Sequence, residues 1–295
     1  MHDLPGLLLG LTAALAWGVT DTAATVASRR VGSLRATAGT QLVSVVVLVV
    51  LVVATGTRLP PAPDVVLTAL ACGTVSAVAY LAFYTALRHG PITVVSPVVS
   101  TYGGLTVALS VLLLGESLDP LQAFGVGVAT GGIVLAAIAF EAGLRSARPV
   151  GPGVAYAFAA LVAFAVLTVA LAGPIRSAGW LPVLLFARVA NASTVSVILG
   201  VSRARRPVEP AAAGRRVDGR TVALVALAGL LDIGGFIAFA IGLEIAPTWL
   251  IGLTSSFGPV IAVGAGVILF AERPRPVQWL GLGLVAASVF LIALG

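Results

Sequence analysis

Residues 115–127 read Gly115-Glu116-Ser117-Leu118-Asp119-Pro120-Leu121-Gln122-Ala123-Phe124-Gly125-Val126-Gly127. Residues 271–283 read Ala271-Glu272-Arg273-Pro274-Arg275-Pro276-Val277-Gln278-Trp279-Leu280-Gly281-Leu282-Gly283. Glu116, Pro120, Gln122, Gly125 and Gly127 recur as Glu272, Pro276, Gln278, Gly281 and Gly283, a constant displacement of 156 residues (272 − 116) without a gap. The same displacement carries Phe83 to Phe239, Leu87 to Leu243, Pro91 to Pro247 and Ser100 to Ser256. Glu, Gln and Pro do not align by chance in a merely apolar sequence. The chain therefore holds two diverged copies of one unit.

The unit is built for lipid. Of the 295 residues 59% are hydrophobic and 9% charged, and the mean hydropathy is +1.11. A soluble domain carries roughly a quarter of its residues as charges, so this is an integral membrane protein. The net charge of +6 comes from 17 basic residues, every one an arginine. They lie in connections between apolar runs, where they set orientation and meet headgroups, not nucleic acid. Cys72 is the only cysteine and lies in an apolar run, which leaves neither a disulfide framework nor a thiolate metal site. Met1-His2-Asp3 lacks the basic start of a cleaved signal, so the first apolar run is expected to be a retained span.

About 20 apolar residues cross a bilayer core as a helix. Ten such runs are predicted, at 4–27, 35–55, 65–87, 92–114, 121–140, 153–172, 180–201, 221–243, 248–270 and 277–294. The fold class is thus all-α, with ten transmembrane helices. The first unit covers 4–140, a linker covers 141–152 and the second unit covers 153–294. Five spans per unit is an odd number, so the second copy re-enters from the opposite side and the repeats are inverted, as in many secondary transporters. Arg29, Arg30, Arg35, Arg88, Arg145, Arg148, Arg273, Arg275 and the arginines between 203 and 220 fall on one side. Only Arg58 and Arg176 fall on the other, and Arg188 lies within a span. The positive-inside rule places the rich side in the cytoplasm and both termini outside. Trp180, Trp249 and Trp279, near span starts, read as interfacial anchors.

No catalytic constellation, metal-ligand spacing or phosphate-cradling loop is visible, so no cofactor is expected. The informative residues are ionisable groups inside spans, each costing about 2.5–3.5 kcal/mol at a helix centre on an insertion scale. Asp232, Arg188 and Asp21 are those groups. They line a substrate or ion path, or else Asp232 and Arg188 form a structural ion pair and Asp21 bonds hydroxyls such as Thr20 and Thr25. Ser76 stands at the repeat position of Asp232, which favours a role in binding over one in packing. Glu116 and Glu272 follow the fourth and ninth spans and either cap the next helix through its first-turn N–H groups or serve transport. Pro97 and Pro259 interrupt those spans, the latter beside Ser255-Ser256. Gly127 and Gly131 form a small-residue surface suited to helix packing. Trp17, Tyr84, Tyr102 and Ser256 complete the candidate binding set.

These residues resemble a known family. Ala13-Ala14-Leu15-Ala16-Trp17-Gly18 is similar to the opening motif of EamA-type transporters of the drug/metabolite transporter superfamily. Arg35 and Arg188, the stretch Phe83–Arg88, Gly115-Glu116 and Ala271-Glu272, with Pro91 and Pro247 before the fourth and ninth spans, fit its pattern. The resemblance implies a multi-pass cell-membrane transporter with a central cavity between inverted halves, moving small metabolites or amphipathic compounds. It also implies cytoplasmic termini, opposite to the arginine count. The sixth span departs from the pattern in lacking the tryptophan. The expected function is secondary active export with proton or ion coupling. The expected partners are a small-molecule substrate and lipids, with no nucleic acid and no obligatory protein. A flippase of a lipid-linked precursor, using Arg35 and Arg188 in the cavity, and a non-transporting membrane scaffold or sensor are the alternatives.

Overall fold

Apolar runs with no water to bond must satisfy their own backbone, and in the computed structural model they do so as helices throughout. It describes residues 4–138, 152–204, 218–271 and 274–294. In the first copy α1 is Leu4–Val31, α2 Ser33–Thr55, α3 Pro63–His89, α4 Ile92–Ser100, α5 Tyr102–Leu114 and α6 Pro120–Ile138. In the second, α7 is Pro152–Ala178, α8 Trp180–Ala204, α9 Gly219–Ile245, α10 Thr248–Ser255, α11 Pro259–Phe270 and α12 Pro276–Leu294. Nine stretches of the described residues are long and apolar enough to cross a membrane, two of them the broken spans Ile92–Leu114 and Thr248–Phe270. Helix α6, at the position of the fifth predicted span, is apolar over the shorter stretch Pro120–Leu135. Most of the linker, residues 141–151, and Glu272 lie outside the described residues.

The ends of the helices follow local chemistry. Gly56 closes α2 in the left-handed conformation at φ 63°, which glycine adopts without strain. Asp119 accepts the N–H groups of Leu121 and Gln122, and Gln122 Oε1 accepts the Asp119 N–H, a reciprocal cap on α6. Asp218 caps α9 through the Thr221 N–H. Both broken spans are interrupted at the same level. Thr101 N–H turns back to Val98 between α4 and α5. Ser256 and Phe257 turn back to Leu253 and Thr254 before Pro259, which has no N–H to give, opens α11.

The copies interleave instead of sitting side by side. Helix α1 packs along α9 and, by the same pseudo-symmetry, α7 packs along α3; α2 meets α8, and α6 meets α12. Glycine sets the closest approaches. A Cβ on Gly73 of α3 would strike the Ala187 carbonyl of α8, and one on Gly229, 156 residues later, would meet the Thr40 carbonyl of α2. Between α6 and α12 the contact is made by Gly125 against Ile292 and by Gly132 against the Gly281 carbonyl. Gly127 and Gly131 have nothing within 4 Å of a Cβ and do not form that interface. Trp279 is half exposed, whereas Trp249 is 1% exposed and packs in the core with Leu250 and Leu253.

Sidedness is also visible. Arg29 donates to the Gly90 carbonyl and stacks over Phe270, Arg30 donates to Thr221, and Gln278 donates to the Thr93 carbonyl. These contacts gather the ends of α1, α3 and α11 with the starts of α4, α9 and α12 on the arginine-rich face. Arg176, at the end of α7, joins Glu116 and Thr248 on the opposite face. The first helices of the two copies therefore finish on opposite sides, as inverted repeats require.

Candidate functional site: a cavity between the copies

A cavity of about 110 Å³ lies at mid-length of α1, α3, α7 and α9, closed off by α4, α5 and α10. Both copies line it. Trp17 and Asp21 come from α1, Tyr80 and Tyr84 from α3, Ser96 from α4 and Tyr102 from α5. Phe164 and Thr168 come from α7, Asp232 and Phe236 from α9, and Ser255 from α10. The wall is mostly aromatic. Trp17 packs on Phe236 and Phe239 with ring centroids 4.8 and 5.4 Å apart, and Phe164 packs on Tyr80 and Phe83 at 5.6 and 6.1 Å.

The two carboxylates have different surroundings. Asp232, 1% exposed, accepts the Tyr80 hydroxyl at 2.7 Å on Oδ1. Its Oδ2 lies 3.5 Å from Arg188 Nη2, an ion pair too long to be a hydrogen bond. Arg188 donates from Nη1 to Gln41 Oε1 at 2.6 Å and lies over the Phe236 ring at 3.8 Å. Arg188 thus stands behind the wall, its charge matched by Asp232, and is not a lining residue. Asp21 accepts the Ser96 hydroxyl at 2.9 Å, and among the described residues it has no cationic partner. The Thr20 and Thr25 hydroxyls go instead to the carbonyls of Ala16 and Asp21.

The other candidates divide. Trp17 donates to the Asp232 carbonyl at 3.3 Å, Tyr84 is fully buried, and Tyr102 shares a 2.8 Å hydrogen bond with Ser255. Ser256 bonds the Leu253 carbonyl and lines a separate small void beside Pro97, so the adjacent Ser255 is the one that reaches the cavity. Arg35 is exposed on the first turn of α2. Pro91 and Pro247 are the extended residues that precede α4 and α10.

Glu116 caps a helix, though not the next one. Its carboxylate accepts the N–H groups of Thr248 and Trp249 at 2.9 Å each, at the start of α10 in the other copy, and pairs with Arg176 at 3.1 Å. Burial opposes its charge, but the two backbone donors and Arg176 outweigh that and hold its carboxyl below the usual range.

A second register, offset from the first, ties these residues together. In the first two spans of each copy the displacement is 147, because the second copy holds nine more residues (156 − 147) between its second and third spans. Buried positions 36, 37, 40, 41, 44 and 48 then coincide with buried 183, 184, 187, 188, 191 and 195. In this register Trp17 matches Phe164, Asp21 matches Thr168, and Gln41 matches Arg188. Arg29, on the Gly90 carbonyl, matches Arg176, on the Ala246 carbonyl, and Gly90 and Ala246 are themselves equivalent at 156. Arg176 is thus a latch residue that the 147 register signals through its match to Arg29, whereas no repeat signal in the sequence marks Ser96 as a partner of Asp21.

The model of the EamA-like transporter family matches residues 4–138 and, a second time, 151–294. The chain belongs to that family. EamA-like proteins are membrane transporters of the drug/metabolite transporter superfamily, and this one is multi-pass. A solved crystal structure of a protein at 22% identity superposes with a TM-score of 0.75, covering 98% of this chain and 96% of its own. That similarity shows a shared fold and nothing further. No curated protein matches the chain. Among the described residues of this EamA-like protein, no group of three or more His, Cys, Asp or Glu side chains is placed to hold a metal ion.

Proposed function

We propose that this EamA-like protein is a secondary active transporter of the cell membrane, exporting small amphipathic compounds by alternating access in exchange for protons. The observation that carries the reading is a carboxylate-bearing cavity at mid-membrane whose wall is divided between two inverted copies. A site on the pseudo-two-fold axis is reached from either face by rocking one copy against the other. The aromatic wall suits the apolar body of an amphipathic ligand, and the hydroxyls of Ser96, Tyr102 and Ser255 supply its few polar contacts. Asp21 is the exchanging carboxylate, because Asp232 is held by Tyr80 and Arg188. The flippase alternative finds no matching feature: Arg35 is away from the cavity and Arg188 is already paired.

The test is flux in proteoliposomes with an imposed pH gradient, read by an entrapped pH dye and by uptake of members of an amphipathic compound library. The expected result is compound movement accompanied by opposite proton movement, with gradient-driven flux lost in Asp21→Asn. Flux no greater than in protein-free liposomes across the library would overturn the transporter reading. Unchanged gradient-driven flux in both Asp21→Asn and Asp232→Asn would remove carboxylate coupling.

A further inference from the structure

We infer, resting on the transporter reading, that Asp21 and the aromatic wall beside it form a binding site for a compact organic cation, an ammonium carried on an apolar body. Three independent observations converge on this class. First, the cavity wall carries two acids, and only one has a counter-charge. Asp232 is matched by Arg188 at 3.5 Å, which leaves Asp21 as an unmatched carboxylate among the described residues. A charge in such surroundings is costly until a partner arrives. Second, Asp21 is 91% buried yet lines the cavity, and its one side-chain bond is the Ser96 hydroxyl, so it still has room to accept from a ligand. Third, Trp17 lies one turn before Asp21 on the same helix face, with Phe236 beyond it, and Tyr102 and Phe164 stand elsewhere on the wall. Indole offers the strongest ring face to a cation, and a desolvated cation–π contact contributes most where water is absent.

Other ligand charges fit less well. An anion would meet two carboxylates and no free cation on the wall, since Arg188 lies behind Phe236 and Tyr80. A neutral compound would leave Asp21 unmatched unless a proton sat on it. That last state is the other half of the cycle: one proton or one cation on the same carboxylate, never both. The groups that titrate or carry charge around Asp21 are Asp232 from α9, Tyr80 and Tyr84 from α3, Tyr102 from α5, and Arg188 from α8 behind Asp232. The facing residues of α4 and α7, Ser96 and Thr168, do not titrate.

The probe is phenyltrimethylammonium, with tert-butylbenzene as its neutral isostere and benzenesulfonate as an anion of similar body. Equilibrium dialysis of the radiolabelled cation against the purified full-length protein in detergent measures binding directly. We expect saturable binding that benzenesulfonate does not compete, and release of about one proton per cation bound when the pH is low enough for Asp21 to start protonated. Asp21→Asn is expected to weaken binding on the order of tenfold or more, while Asp21→Glu restores it. A monodisperse gel-filtration profile for Asp21→Asn guards against misfolding, and Asp21→Glu keeps the result interpretable if Asp21→Asn fails to fold. Equal binding by Asp21→Asn, or competition by benzenesulfonate as strong as by the unlabelled cation, overturns the assignment. If the cation does not bind while another compound class drives flux in the liposomes, the cation site falls and the transporter reading stands. If neither binding nor flux is found, both fall.

Discussion

Replacing Arg188 with methionine removes the guanidinium and leaves Asp232, 1% exposed, with the Tyr80 hydroxyl as its remaining side-chain bond. Breaking a buried pair by removing one partner costs about 3–5 kcal/mol, because the surviving charge has no compensation. The double substitution Arg188→Met with Asp232→Asn strands no charge. Its loss is the Gln41 contact and part of the stacking over Phe236, about 1–2 kcal/mol. The double variant is therefore expected to be about 2–3 kcal/mol more stable than Arg188→Met alone, and because Asp232→Asn alone strands the Arg188 charge in turn, the coupling over the full cycle is at least that large. The chain carries its own reporter: Cys72 is its only cysteine, 8% exposed, so a thiol-reactive fluorophore labels it as the helices separate. Titrating SDS into detergent micelles and following Cys72 labelling gives an unfolding midpoint for wild type, both single variants and the double. A coupling below about 0.5 kcal/mol, the scatter expected of independent sites, would refute the claim that Arg188 exists to neutralise Asp232.

The caps, the packing and the cavity wall each carry a further expectation. Glu116→Ala is expected to cost about 2 kcal/mol by the same titration, since two charge-assisted bonds at the start of α10 are lost. Because the Glu116 carboxyl is held below its ordinary value of 4.5, its contribution is complete above that pH and disappears as the pH falls through the lowered value. Stability measured from pH 6 downward should then fall less steeply in Glu116→Gln than in wild type, and parallel slopes would contradict the cap. Gly73→Ala is expected to destabilise by about 1–3 kcal/mol through collision with the Ala187 carbonyl, whereas Gly131→Ala, in open space on α6, is expected to be neutral or slightly stabilising. Equal midpoints for the two would show that α3 and α8 are not in close contact. Ser255→Ala is expected to impair transport of any substrate that uses the Tyr102–Ser255 pair, while Ser256→Ala leaves flux close to wild type, as liposome assays can compare.

Much of the fold was legible because lipid permits so few solutions. Ten apolar runs, an odd number per copy and the Glu–Pro–Gln–Gly signature at 156 lead to inverted repeats without any contact being known. The candidate site was legible where chemistry is expensive: Asp21, Asp232 and Arg188 stand out because a charge in a span needs a reason. What the residues did not disclose is which neighbour answers each charge. Ser96 is one hydroxyl among many until α4 is laid beside α1, and Ser255 and Ser256 differ only by the 100° turn that a helix makes between neighbours. Arg35 and Arg188 look alike as early-span arginines, yet position 35 lies nearly two turns nearer the helix end than the true counterpart of Arg188, Gln41. Glycine pairs were misleading for the same reason: Gly127 and Gly131 fit a packing motif, but Gly125 and Gly132 are the residues that meet α12.

The matching of the copies has a consequence for the working cycle. In a molecule of two equivalent inverted halves, exchanging the conformations of the halves turns an outward-open form into an inward-open one, so the two forms would be isoenergetic. Here the exchange is uneven. Asp21 faces Thr168 across the axis, Asp232 faces Ser76, and Arg188 faces Gln41. Every charge at the centre belongs to one member of a pair whose other member is neutral. On the proposed alternating-access reading, nothing in the sequence then requires the outward-open and inward-open forms of the empty protein to be equal in energy.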